Sequence, residues 1–257
     1  MINFPPWVFR ALYWYMNKLD RHHQVIFMNY GYSEPGETIL LDREDEINRY
    51  SLQMYHHLIR MADLTGKDIV DVGSGRGGGL NYIARTCSPS SMTGIDNGKG
   101  SVGFCRNHYD HRNLTFLAGD AQKLPLEDNS CDVLFNVESS HRYRSMKLFL
   151  KEVKRILRPG GYFLFADFRY HHEWPGIIEL FNNYGFKVLF EKDITANIIH
   201  SLNMDSERRI SLVRRYAPKV LQKGILNFTG SKGTETYDYF LTRKFTYRSF
   251  KLQNPAT

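Results

Sequence analysis

The chain has only three cysteines, Cys87, Cys105 and Cys131, and no C-x-x-C pair. An odd number at wide spacings speaks against a disulfide framework or a cysteine-built zinc site and points to a reducing, cytoplasmic setting. No apolar run reaches the roughly 18 residues that a spanning helix requires. The N-terminal stretch MINFPPWVFRALYWYM is strongly apolar, yet it has no basic region before it and no small-residue cleavage site after it. No signal peptide is therefore expected. Repeats and low-complexity tracts are also missing. What remains is a composition of 42% apolar and 24% charged residues over 257 positions. That excludes a wholly disordered chain and is enough for one large domain with its own core.

Acidic residues are scarce in one region. Residues 1–194 hold 23 basic and 23 acidic side chains, and the last 63 residues hold 11 basic and 4 acidic. The whole net charge of +7 thus belongs to the C-terminal quarter. Such a tail suits a nucleic acid, an anionic membrane surface or a solvated face. At the other end, Pro5 and Pro6 can open a helix that Trp7, Leu12, Trp14 and Tyr15 would crowd with aromatic surface. We read it as a helix packed on the core or in a lid.

Between these ends, short β-branched runs alternate with helical periods. Strands are expected at 68–72, 91–95, 114–118, 131–136, 162–168, 186–191 and 245–252. Helices are expected at 47–61, 77–85, 102–108, 146–157 and 176–184. The alternation predicts an α/β fold with a doubly wound, mostly parallel seven-stranded sheet. It lapses between Thr195 and Lys232, where Ile210, Val213, Tyr216, Val220 and Leu221 stand at helical spacing and Pro218 kinks the helix or starts a new one. We divide the chain into an N-terminal helical lid segment (1–60), a nucleotide-binding core (61–194), a basic helical insertion roofing the substrate crevice (195–234) and a C-terminal strand completing the sheet (235–257).

The chemistry starts at Ile69-Val70-Asp71-Val72-Gly73-Ser74-Gly75-Arg76-Gly77-Gly78, a strand, a glycine turn and a helix start. Glycine permits positive φ and close approach of backbone to a ligand, and the helix N-terminus turns N–H groups toward it. Gly73, Gly75 and Gly78 satisfy G-x-G-x-x-G, and Asp96 follows Gly75 by 21 residues, as a dinucleotide site would require. Asp71 shifts the balance. A carboxylate directly before the loop repels a pyrophosphate and attracts an ammonium or sulfonium, a difference of about 3 kcal/mol at an effective dielectric of about 20. Asp96 ends the second strand, where it can take ribose hydroxyls. Asp120, within Gly119-Asp120-Ala121, can accept from an adenine amine. The ligand read from this set is S-adenosyl-L-methionine.

VDVGSGRGG, GID, GDAQKLPLEDNSCDVLF and Leu157-Arg158-Pro159-Gly160-Gly161 together resemble the class I S-adenosylmethionine-dependent methyltransferases. FMNYGY, GGGLNYIAR, FNVESSHRY, FLKEVKRILRPGGYF, ADFR, DITANII and FTYRSF extend the resemblance to the phthiotriol/phenolphthiotriol dimycocerosates methyltransferases over nearly the whole chain. The resemblance implies a Rossmann-like methyltransferase fold and O-methylation of a hydroxyl on a hydrophobic lipid, polyketide or related metabolite, with S-adenosyl-L-homocysteine as product. It also implies that Tyr32, in Asn29-Tyr30-Gly31-Tyr32, closes over the methionine end of the cofactor. Ser74, Asn97, Asn136 and Glu138 complete the expected cofactor contacts.

An alcohol must lose its proton as the bond to carbon forms, so a base is needed. His141 follows the fourth strand and Asp167 ends the fifth. Neighbouring strands would bring them together, and the pair resembles that of the rebeccamycin sugar O-methyltransferase group. Glu138 is assigned to the cofactor. No metal is expected: the doublets His22-His23, His56-His57 and His171-His172 point to opposite faces, with no carboxylate at a ligating interval. Lys147, Lys151, Lys154, Arg155 and Arg158 read as a solvated helix face. Alternatives are C- or N-methylation of a similar molecule, or a methyltransferase-fold cyclase that transfers nothing. A nucleic-acid methyltransferase would need an N-P-P-Y-type tetrad where Phe135-Asn136-Val137-Glu138 stands. Without one, the basic quarter reads as a lid that meets an acidic substrate or, peripherally, an anionic membrane.

Overall fold

The computed structural model describes residues 25–256. The expected N-terminal aromatic helix and His22-His23 lie outside them. Seven strands form one sheet in the order β3-β2-β1-β4-β5-β7-β6, with β1 Asp68–Val72, β2 Ser91–Asp96, β3 Leu114–Ala118, β4 Cys131–Val137, β5 Leu157–Tyr170, β6 Lys187–Asp193 and β7 Phe245–Gln253. All neighbours are parallel except β7, which runs antiparallel between β5 and β6. The helices are α1 Arg49–Ile59, α2 Gly78–Thr86, α3 Lys99–His108, α4 Met146–Ile156, α5 Trp174–Asn183, α6 Thr195–Tyr216, α7 Lys219–Phe228 and α8 Glu235–Leu241.

Strand alternation divides the apolar residues between two faces. Ile69, Val133, Phe135, Leu164, Ala166 and Phe168 pack with α1 and α2 in one core, while Val70, Val72, Leu134, Phe163 and Phe165 pack with α4 and α5 in the other. Both faces are covered, as a doubly wound sheet requires. Gly79 lets α1 approach α2, since a Cβ there would lie 2.1 Å from the Tyr55 ring. Gly79→Ala should cost about 1–3 kcal/mol through overpacking, read as a lower denaturant midpoint at unchanged slope; an unchanged midpoint would contradict it.

Some boundaries differ from expectation for identifiable reasons. Helix α5 begins at Trp174 because Pro175 is accommodated in a first turn. Strand β5 is longer at its end because β7 pairs with it through Tyr170, and at its start because Leu157 pairs with Cys131 of β4. Pro218 starts a new helix, with Ala217 extended before it. Residues 235–241 form a helix, so the completing strand begins only at Phe245. Helix α1 is a core helix, with Leu52, Met54, Tyr55 and Leu58 buried. The basic face of α4 is partly engaged: Arg155 pairs with Glu152 and Asp128, and Arg158, in β5, with Asp68 and Asp132.

Candidate active site

The glycine loop leaves the buried end of β1 and turns at Gly73 (φ 81°), Gly75 (φ 55°) and Gly77 (φ 76°). The Gly73 and Ser74 N–H groups donate to the Ile95 carbonyl, which ties the turn to β2. Asp96 accepts from Gly75 N–H at 2.9 Å and from Gly98 N–H at 2.7 Å. Burial raises its carboxyl above the usual range against those two donors. Asp71 is fully buried, and its Oδ2 accepts from the Tyr55 hydroxyl at 3.0 Å. Burial pushes it up to about 7, with Tyr55 opposing.

Three buried polar atoms by this loop have no protein partner: Asp71 Oδ1, Ser74 Oγ and Asn136 Oδ1. Buried polar groups are ordinarily paired, so three orphans beside one loop mark a cradle for a polar ligand. The amide of Asn136 is oriented by donation to the Val72 carbonyl, to Ser139 and to the Tyr143 hydroxyl. Asp120, Asn97 and the Gly119-Ala121 turn line up beyond β2 and β3. Asp120 and Asn97 are exposed, and Asp120 uses Oδ1 to accept from Gln122 N–H. Gly119 N–H donates to the Asp96 carbonyl.

Residues 25–30 cross the loop. Arg76 donates to the Val25 carbonyl at 2.8 Å, and Met28 Cε stands 3.4 Å from the position a Cβ of Gly75 would take. Glu138 sits at φ 49°, in the left-handed region, and accepts from Tyr30 N–H (2.8 Å) and the Tyr247 hydroxyl (3.2 Å). Burial, which Tyr30 opposes, pushes its carboxyl up to about 8. Of the two tyrosines in Asn29-Tyr30-Gly31-Tyr32, the one joined to Glu138 is Tyr30, through its backbone N–H. Tyr32 is not brought to that group: its hydroxyl donates to Glu34 at 2.5 Å and its ring stacks on His57 at 4.4 Å. There it lines a neighbouring cleft of about 750 Å³ with Gln53, His56, Phe190 and Lys192.

His141 and Asp167 do meet. His141 Nδ1 lies 2.8 Å from Asp167 Oδ1. The aspartate is wholly buried, and its Oδ2 also accepts from Ser140 Oγ (2.6 Å) and His141 N–H (3.0 Å) and pairs with Arg169 (3.0 Å). Burial opposes its ionisation, but Arg169 and His141 outweigh it and hold the carboxyl well below the usual carboxylate range. Burial lowers the imidazole, with Asp167 opposing. A permanent carboxylate assigns the proton to Nδ1, which leaves Nε2 with its lone pair. Consistent with that tautomer, Arg142 Nε donates to Nε2 at 3.2 Å. The ring rests on Phe168, 4.4 Å between centroids.

Several functional neighbours had no sequence reading. Arg169 stands two residues after Asp167 on one strand, so period two offered a signal. Tyr55 and Tyr247 reach the site from distant elements and carried none. The other histidine doublets have structural partners or solvent: His56 meets Tyr82, His57 meets Ser249, and His171-His172 is exposed. Among the described residues no group of three or more His, Cys, Asp or Glu side chains could hold a metal ion.

A doubly wound sheet with a glycine turn after β1 and carboxylates ending β1 and β2 is the ground plan of a nucleotide-cofactor enzyme of the methyltransferase class. A methyltransferase-domain family model matches residues 70–165. The chain is 36% identical to the fatty-acid O-methyltransferase of Mycolicibacterium smegmatis, across 96% of this chain and 90% of that one. It is 34% identical to the phthiotriol/phenolphthiotriol dimycocerosates methyltransferase of Mycobacterium tuberculosis, across 93% and 89%. The crystal structure of the cyclase SpnF aligns with a TM-score of 0.74 at 18% identity, over 98% of this chain and 96% of that chain, a likeness of fold alone. The chain belongs to the class I S-adenosylmethionine-dependent methyltransferases, in the family of these two mycobacterial enzymes.

Proposed function

We propose that this methyltransferase acts on an oxygen of a hydrophobic, lipid-like acceptor, with His141 as general base and Asp167 as its positioning partner. The observation that carries the reading is the 2.8 Å contact between His141 Nδ1 and a buried, fully braced Asp167. It supports a neutral imidazole whose Nε2 lone pair, which accepts from Arg142 at 3.2 Å, takes the acceptor's proton once Arg142 is displaced; O-methylation of an alcohol needs such a base and sulfonium binding alone does not. The activities for which the two relatives are named, on a fatty acid and on phthiotriol lipids, support the acceptor class.

S-adenosyl-L-methionine, when bound, supplies a methyl carbon activated by the sulfonium. The orphaned Asp71, Ser74 and Asn136 atoms fit its polar groups, with Gly73 and Gly75 leaving room for close backbone approach. Asp96 and Asn97 suit the ribose, Gly119, Asp120 and Ala121 the adenine, and Glu138 the methionine end. Residues 195–234 serve as the roof on the acceptor side. Incubation with labelled cofactor and lipid extracts, followed by mass spectrometry, tests the reading. A gain of one methyl on an oxygen supports it, and an isomerised product without label would replace it with the cyclase alternative.

The pH response of cofactor binding follows from Asp71. With its carboxyl at about 7, it is protonated below neutrality and cannot attract a cationic ligand. Binding should therefore tighten as pH rises through about 7. Asp71→Asn should weaken binding and flatten this dependence in calorimetric titrations. For the ligand-free protein the sign is opposite. A carboxyl raised in the folded state stabilises below its unfolded pKa of about 4, and that contribution is lost as pH rises.

A further inference from the structure

We propose that α7 is an interfacial helix by which the chain rests on an anionic bilayer surface. The corollary that the acceptor is drawn from that surface rests on the lipid reading above. Three observations converge on the helix. First, no residue of α7 is buried, although its sequence KVLQKGILNF is amphipathic. Val220 is 87% and Leu221 40% exposed. A helix that merely filled a roof would turn such residues inward.

Second, the sequence through it is basic, and acidic side chains stand only at its borders, at Asp205, Glu207, Glu235 and Asp238. Residues 208–234 contain seven Lys and Arg and no Asp or Glu. Arg208 and Arg209 share the single carboxylate of Asp205. Arg214, Lys219 and Lys223 form no ion pair among the described residues, and Arg215 stacks on Tyr216. Exposed aliphatic side chains flanked by unpaired cations are the pattern of a helix lying in a headgroup layer. A nucleic-acid surface would use the same cations, but the most exposed apolar side chains here are aliphatic and offer no stacking plane.

Third, the other end of the helix reaches the proposed base. The Phe228 carbonyl accepts from the Tyr30 hydroxyl at 3.2 Å, and the Arg142 guanidinium lies 4.8 Å from the Phe228 ring centre. Arg142 is the residue that donates to His141 Nε2. Ten helical residues span about 15 Å, so a single element joins the exposed apolar patch to the reaction centre.

The test is co-sedimentation of the full chain with phosphatidylglycerol-containing and pure phosphatidylcholine vesicles at low and high salt. Methylation of a dispersed short-chain acceptor is measured in parallel. We expect partition onto the anionic vesicles only, lost at high salt. It should fall at least tenfold in Lys219→Glu/Lys223→Glu and measurably in Val220→Asp, a larger change than any these roof variants make in turnover of the dispersed acceptor. These side chains are exposed, so the variants should fold, which circular dichroism checks. No binding to anionic vesicles, equal binding by all variants, or stronger capture by duplex DNA unaffected by Val220→Asp would overturn the proposal. Vesicle binding without label transfer to any lipid would support the docking and overturn the acceptor reading instead.

Discussion

His141→Ala will lower turnover of an alcohol acceptor by about 10²–10⁴-fold, the range a positioned base contributes, while cofactor affinity stays within a few-fold. The imidazole belongs to the turn after β4 and meets Asp167, Arg142 and Phe168, so its loss leaves the cofactor cradle intact. The pH profile adds a second readout. Burial lowers the His141 pKa from its ordinary value, so the imidazole is neutral at neutral pH and the acid limb of kcat/KM should lie below the ordinary imidazole range. Asp167→Asn removes the charge that opposes this lowering. The acid limb should then move to still lower pH, with a smaller loss of rate than in His141→Ala. Near-wild-type turnover in His141→Ala would remove the histidine from the mechanism. It would favour an acceptor carboxylate, which is already ionised and needs no base.

Asp205→Ala should be the most destabilising single change in the roof, by about 3–5 kcal/mol. Arg209 is buried in α6, where burial lowers its pKa against the attraction of Asp205. Its Nε donates to Asp205 at 2.8 Å, and its other nitrogens reach the Thr229 and Asn29 carbonyls. Removing the carboxylate leaves a guanidinium without its counter-charge in a site closed to water. The same helix holds the segment that crosses the glycine loop, through Ser201 to the Tyr30 carbonyl and Asn197 to the Ser33 carbonyl. Cofactor affinity should therefore weaken together with the thermal midpoint. Asp205→Leu with Arg209→Met removes both charges and should recover most of the stability. If Asp205→Ala melts as the wild type does, the pair contributes nothing and the roof is held by packing alone.

The sheet was legible because its signals are local. Asp68–Val72 and Leu114–Ala118 are bounded by turn residues and match the observed strands, and Gly73, Gly75 and Asp71 announce a turn that must approach a ligand. His141 and Asp167 could be paired in advance because parallel neighbours β4 and β5 bring their carboxyl ends together. The expected role of Tyr32 rests on a motif whose two tyrosines the fold sends to different neighbours. Sequence spacing places Tyr30 and Tyr32 in one short segment, and only the fold determines which of them joins Glu138. Tyr30 lends its backbone N–H there, and no side-chain pattern records a backbone donor.

The uneven charge and the scarcity of cysteine could be counted from the chain alone, and so could the alternation that yields a doubly wound sheet. These depend on the order of residues along one strand, loop or helix. What the tertiary structure decided is the environment of each group. It buried Asp167 beside Arg169 and Ser140, left Asp71, Ser74 and Asn136 with unmet hydrogen bonds, and left Val220 and Leu221 of α7 exposed. Burial, pKa and unsatisfied partners arise from residues far apart in sequence, because desolvation and pairing act through space.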